Sequence, residues 1–201
     1  MAPTAAIGYV LQSGFMRKIA LFLIAPVVLL LLGKTSLHSA QEKPSSAEEL
    51  YNAGYLLTLL GAYEQALRLY DESLAIQPTA EAYTFKGWTF GQMGEYQRAI
   101  DEAQKAIRLD PDFGNPYNDI GVYLIELERD DESVTYLEKA RTAKRYCCYQ
   151  FPHFNLGRVY LKKRLYEKAR DEFKKALEID PAYEPAQAGL ELLKELGVEP
   201  T

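Results

Sequence analysis

The chain has 201 residues, 48% hydrophobic and 25% charged, with a formal net charge of −5. That is an ordinary globular composition, long enough for one domain plus an N-terminal segment, and its net acidity argues against nucleic acid as the partner. The only cysteines, Cys147 and Cys148, are adjacent, so they supply neither a zinc spacing nor a C-x-x-C motif, and a disulfide between them closes a strained ring.

In chain order, residues 1–15 carry no charged side chain. Met16-Arg17-Lys18 then precedes fifteen uncharged residues, Ile19 to Gly33. A basic start before an apolar run of this length predicts a secretory signal peptide, with Met16 as an attractive start. The run is shorter than the ~20 apolar residues that span a bilayer comfortably. Pro26 lies inside it, and His38 weakens a cleavage site at Ser39-Ala40, so an uncleaved membrane anchor at 19–33 stays open beside the signal peptide. Either way, residues 1–40 form a targeting segment. With the basic flank kept inside, the rest of the chain faces away from the cytoplasm, in a bacterial periplasm or cell envelope. Gln41 to Ser46 is a polar linker, and Ser46 before Ala47-Glu48-Glu49 is a helix N-cap with acids in the first turn.

From Ala47 onward a pattern recurs at a nearly fixed period. Units are expected at 47–79, 80–113, 114–149 and 150–183, each with two amphipathic helical stripes. The eighth residue is Gly54, Gly87, Gly121 and Gly157, and the twentieth is Ala66, Ala99, Ser133 and Ala169. The twenty-fourth is Tyr70, Ala103, Leu137 and Phe173. Pro78, Pro111 and Pro181 close three units, while Arg145 stands at that place in the third and two extra residues precede the fourth. Small residues at positions eight and twenty imply two helices facing each other closely there, because added volume would force them apart. In the third unit Asn115 is expected as cap with Pro116 in the first helical position. After Tyr183, Ala186, Leu190, Leu193 and Leu196 form the stripe of a closing helix, within a cap and tail at 184–201.

The order L-G-x-x-Y, A-x-x-x-F and a terminal Pro, clearest in Gln150–Tyr183, resembles the tetratricopeptide repeat. The resemblance implies an all-α fold: a right-handed superhelical solenoid of four helix–turn–helix repeats with a C-terminal capping helix. It also implies that the first helix of each pair lines a concave groove. Positions two, five, nine, twelve and thirteen then give the candidate lining: Tyr51, Tyr55 and Leu59; Trp88 and Gln92; Asn118, Val122 and Glu126; Phe151, Phe154, Arg158 and Lys162. Family members that clamp chaperone tails carry Lys and Asn at positions five and nine of the first unit. Tyr51 and Tyr55 stand there instead, so that clamp is not expected.

No catalytic constellation, metal spacing or cofactor motif occurs, and His153 occupies a packing position. Residues 141–175 hold eleven Lys or Arg against Glu167, Asp171 and Glu172, whereas 42–140 hold eight against nineteen acids. Charged outer faces of helices are ordinary solvation. Arg158 and Lys162, however, follow Phe154 on one stripe and point to an acidic segment in the partner. The function expected is a non-enzymatic scaffold, exported or membrane-tethered, that binds a protein or peptide partner in the groove. Membrane contact is expected only through the N-terminal apolar segment. A structural assembly factor of an envelope machine such as a pilus or secretion system, or a non-catalytic enzyme subunit, is the alternative.

Overall fold

A computed structural model describes residues 46–198. The expected signal peptide or anchor, and the linker up to residue 45, lie outside the described residues. Every described element is helical, apart from one isolated parallel bridge between Phe113 and Arg145. No described helix is long and apolar enough to cross a membrane. The chain packs as two compact units that divide between Ile76 and Gln77.

The described part of the first unit is one helix pair, α1 (Ala47–Leu59) and α2 (Tyr63–Ile76). Ser46 opens α1 with a reciprocal cap: its Oγ accepts from Glu49 N (3.1 Å), and Glu49 Oε2 accepts from Ser46 N (3.3 Å). The fully buried Tyr70 ring lies beneath Gly54, where an added Cβ would sit 2.8 Å from Cε1. Thr58 Oγ1 donates to Gly54 O (3.0 Å), which leaves the Tyr70 hydroxyl to donate to Thr58 Oγ1 (3.0 Å). Ser73 Oγ donates to Ala47 O (2.7 Å), tying the end of α2 to the start of α1.

The second unit contains three helix pairs and a last helix. They are α3 (Ala80–Gln92) with α4 (Tyr96–Leu109), α5 (Gly114–Glu126) with α6 (Asp130–Ala140), α7 (Gln150–Lys162) with α8 (Tyr166–Ile179), and α9 (Glu184–Glu195). Along it each first helix neighbours the next, α3 to α5 to α7 to α9, and α4, α6 and α8 each pack on the first helix that follows. Ile125, Leu137, Leu156 and Val159 join the α5–α6 pair to α7. Ala169, Phe173, Ala176, Ala186 and Leu193 bury α9 on α8. Burying a side chain such as Phe173 or Leu193 contributes about 1.5–3 kcal/mol. A lone pair could not collect this, so the stripes are satisfied only by stacking.

The close approach within pairs differs from the expectation of Gly facing the small residue at position twenty. A Cβ at Gly121 would meet Leu137 (2.5 Å), and one at Gly157 would meet Phe173 Cδ1 (2.6 Å), as Gly54 meets Tyr70. The bulky twenty-fourth residue fills the space that glycine leaves. Only where that residue is Ala103 does the backbone itself close in, with Ala99 O 2.9 Å from a Cβ at Gly87. The third pair also starts one residue before its expected cap. Phe113 is the N-cap, and Gly114 N donates to Arg145 O (3.0 Å), so Asn115 is already helical.

Helices α1, α3, α5, α7 and α9 end alike. In α1, Gly61 N donates to Thr58 O (3.0 Å) and Ala62 N to Leu57 O (2.9 Å), and the same two bonds recur at Gly94, Glu128, Arg164 and Gly197. That closure needs a left-handed residue. Gly61, Gly94 and Gly197 supply it at φ 79, 78 and 77°, whereas Glu128 (φ 60°) and Arg164 (φ 59°) adopt it despite their side chains.

Candidate partner-binding surface

The repeat period sets which side chains share the first-helix face, because positions five, nine and thirteen lie one helical turn apart. In the second unit this face holds Trp88 and Gln92 on α3, Asn118, Val122 and Glu126 on α5, and Phe151, Phe154, Arg158 and Lys162 on α7. In the first unit Tyr51, Tyr55 and Leu59 follow one another on α1. Tyr51 and Leu59 are half-buried. Tyr55 is buried, and burial raises its phenol pKa.

Several candidates turn inward. Asn118 is 1% exposed and accepts from Asn155 Nδ2 (3.1 Å). Phe151 is buried edge-to-face on Tyr183, with ring centroids 5.5 Å apart. Phe154 packs against both Tyr183 (5.3 Å) and Phe173 (5.8 Å). Phe151 is thus part of the core rather than a displayed anchor, whereas Phe154, with Tyr183 at the turn into α9 packed on its edge, stays half-buried like Trp88 and Val122. The Tyr183 hydroxyl pKa is pushed up to about 12, chiefly by burial, with Arg158 nearby pulling it down.

What stays accessible is a regular strip. Position nine is half-buried in each first helix of the second unit (Trp88, Val122, Arg158), and position thirteen is exposed (Gln92, Glu126, Lys162). Its α3 end is aromatic and polar, whereas its α7 end is ionic. Arg158 Nη2 donates to Glu126 Oε1 (3.2 Å) and Nη1 to Asn155 Oδ1 (3.3 Å), while Lys162 Nζ donates to Asp130 (3.0 Å). Both cations thus have acidic neighbours on the preceding pair, and Lys163 pairs with Asp131 in the same way. Such exposed pairs contribute roughly 0–1 kcal/mol each, so an incoming carboxylate can exchange with Glu126 or Asp130 at small cost. Asn155, Asp130 and Tyr183 were absent from the sequence-based lining. Asn155 sits at position six, and the other two lie outside the first helices, so only the period read together with the cross-helix neighbour would have found them.

Elsewhere the ionisable groups serve packing. His153 Nδ1 donates to Glu172 Oε2 (2.6 Å), and Lys175 Nζ donates to Glu172 Oε1 (2.8 Å). Burial pushes the Glu172 carboxyl up, but these hydrogen bonds prevail and hold it below the usual range. Among the described residues no group of three or more His, Cys, Asp or Glu could hold a metal ion.

Residues 80–113 and 151–183 each match a family model described as tetratricopeptide repeat. The small glutamine-rich tetratricopeptide repeat-containing protein 2 of Mycosarcoma maydis is 25% identical over 157 residues, which is 78% of this chain and 34% of that protein. The chain therefore spans about a third of that relative's length. The crystal structure of PilW, a type IV pilus biogenesis factor, superposes with a TM-score of 0.70 at 22% identity, covering 76% of this chain and 70% of PilW. That of YrrB, a repeat protein with an unusual peptide-binding site, gives 0.60 at 19% identity, covering 92% of this chain and 89% of YrrB. At these identities the structural likeness is one of fold. The matched segments coincide with the α3–α4 and α7–α8 pairs, and the chain is a tetratricopeptide repeat protein.

Proposed function

We propose that this chain is a non-enzymatic adaptor, exported or membrane-tethered, that holds a peptide or helix of a partner protein along the α3–α5–α7 face of its second unit. The observation that carries the reading is the strip itself. Positions nine and thirteen of three successive first helices keep their exposure, with Phe154 half-buried beside them, while Asn118 and Phe151 are buried. Trp88 and Val122 offer apolar contact, and Arg158 and Lys162 offer exchangeable cations, so the fitting partner segment has an apolar anchor followed by one or two carboxylates. The charge run Arg17-Lys18 before Ile19–Gly33 supports export or tethering.

A photo-crosslinking residue at Gln92 or Val122 should form an adduct in cells. That adduct should be lost when Trp88→Ala is combined with Arg158→Glu and Lys162→Glu. Persistence of the adduct in the triple variant would remove this face as the binding site. Residues 1–45 fused ahead of alkaline phosphatase should yield enzyme active outside the cytoplasm, and an inactive fusion would sink the export half of the proposal. The second reading, an assembly factor of an envelope machine, uses the same strip. It is chosen if the adducts resolve into one large envelope complex rather than scattered soluble proteins.

A further inference from the structure

The turns that end α5 and α7 are the two that close in the left-handed region without glycine, at Glu128 (φ 60°) and Arg164 (φ 59°). A side chain held there is strained, and residues kept in such a conformation cluster at functional positions. Both residues are exposed, and among the described residues neither side chain has a hydrogen-bond or ion-pair partner. The residues around them do have partners. Lys162 Nζ donates to Asp130 (3.0 Å) and Lys163 pairs with Asp131, so the two turns lie side by side at one edge of the second unit. Arg129 is held by Glu132 (2.7 Å).

The two turns are also opposite in charge. Residues 126–132 hold five acids against Arg129, and residues 162–168 hold four Lys or Arg against Glu167. The cross-turn pairs cancel Lys162 with Asp130 and Lys163 with Asp131, which leaves Glu128 and Arg164 as the unpaired charges at the two tips. A partner of single sign would satisfy one tip and be repelled by the other. Adjacent patches of opposite sign are instead self-complementary, which is what an interface between two copies related by a two-fold axis requires.

We propose that this edge joins two copies of the chain, with an axis between the tips that sets Glu128 of each protomer against Arg164 of the other. Leu127 and Leu165, 36% and 42% exposed next to those residues, supply the apolar part of the contact. The pairing also gives a use to the uneven charge of the chain. Acids outnumber bases nineteen to eight over 42–140, and bases outnumber acids eleven to three over 141–175. Two-fold pairing sets the acidic α5–α6 turn of each protomer against the basic α7–α8 turn of the other. An interface made by turn tips is small and held chiefly by charge, so it dissociates as salt rises. It uses neither Trp88, Val122 nor Arg158 and does not depend on the adaptor reading.

The test is sedimentation velocity of the full-length protein at low salt, in a non-ionic detergent that masks the apolar run Ile19–Gly33, with circular dichroism to check folding. The wild type should sediment with the mass of two chains and fall to one in high salt. Glu128→Arg and Arg164→Glu should each halve the mass. An equimolar mixture of those two variants should recover it, because a chain with two arginines at these places then meets a chain with two glutamates. Pairing within one chain cannot produce that recovery. Glu128→Gly and Arg164→Gly keep the left-handed turn and should also sediment as one chain. Any wild-type mass other than two chains, a single variant that stays dimeric, or a mixture that stays monomeric would overturn the proposal.

Discussion

Gly157→Ala is the smallest perturbation that tests how the fourth pair is built. The added Cβ would lie 2.6 Å from Phe173 Cδ1 and 3.0 Å from its Cζ, against an optimal separation of about 3.5–4.0 Å. The ring would therefore have to retreat by roughly an ångström. It cannot retreat toward α9, because its other edge already lies 2.7 Å from where a Cβ on Gly189 would be. Phe173 is thus held between two glycines and is 1% exposed. Overpacking of this kind costs about 1–3 kcal/mol, and the tightness of the slot argues for the upper end. Alanine returns about 1 kcal/mol through its better helix propensity, leaving a net loss of about 2 kcal/mol. At this chain length that corresponds to a melting temperature about 4–8 °C lower. Thermal denaturation should show the drop, and amide exchange should quicken across 150–196 more than across 80–109. Phe173→Leu shortens the ring and should offset part of the cost, with a coupling of about 1 kcal/mol or more in the double-mutant cycle. A neutral Gly157→Ala, or a strictly additive cycle, would refute the slot.

Glu128→Gly and Arg164→Gly should each stabilise the protein by roughly 1 kcal/mol, since an L side chain in the left-handed region costs about 1–2 kcal/mol and glycine gives some of that back in chain entropy. Urea midpoints that fall instead would show that these side chains contribute more than their backbone costs. The Glu172 carboxyl is held below its ordinary range in the folded state by His153 and Lys175. Its contribution is therefore complete above the unfolded value of about 4.3 and is lost as pH falls through the lower folded value. Stability should decline on acidification below that point, and Glu172→Gln should be less stable at pH 7 with a flatter acid limb. An unchanged acid limb in that variant would remove Glu172 from the linkage.

The helix pairs were legible from the chain alone, because each rests on neighbours within about one repeat length. The side chain filling the space at Gly54, Gly121 and Gly157, by contrast, was expected at position twenty and is the residue at position twenty-four. Gly157 and Phe173, or Thr58 and Tyr70, are brought together by one turn and the 3.6-residue pitch. Ser46 with Glu49 is more local still, and its cap was readable as three residues of sequence. The candidate surface was legible as a list of positions but not as a set of exposures. Whether Phe151 and Phe154 face solvent depends on Tyr183 reaching back over α7, and nothing in the pattern of one helix encodes that. Arg158 and Lys162 read as free cations until the stacking of α5–α6 on α7 set Glu126 and Asp130 beside them, 32 residues earlier in the chain. Arg145 is the clearest case. As sequence it only breaks the repeat where a proline was due, but in the fold its side chain reaches Glu81, 64 residues away, and pins the join between α6 and α7. Local periodicity encodes which residues are small, large or periodic. Which of them meet, and which are left to solvent, is decided only when neighbouring pairs stack and compete for the same surface.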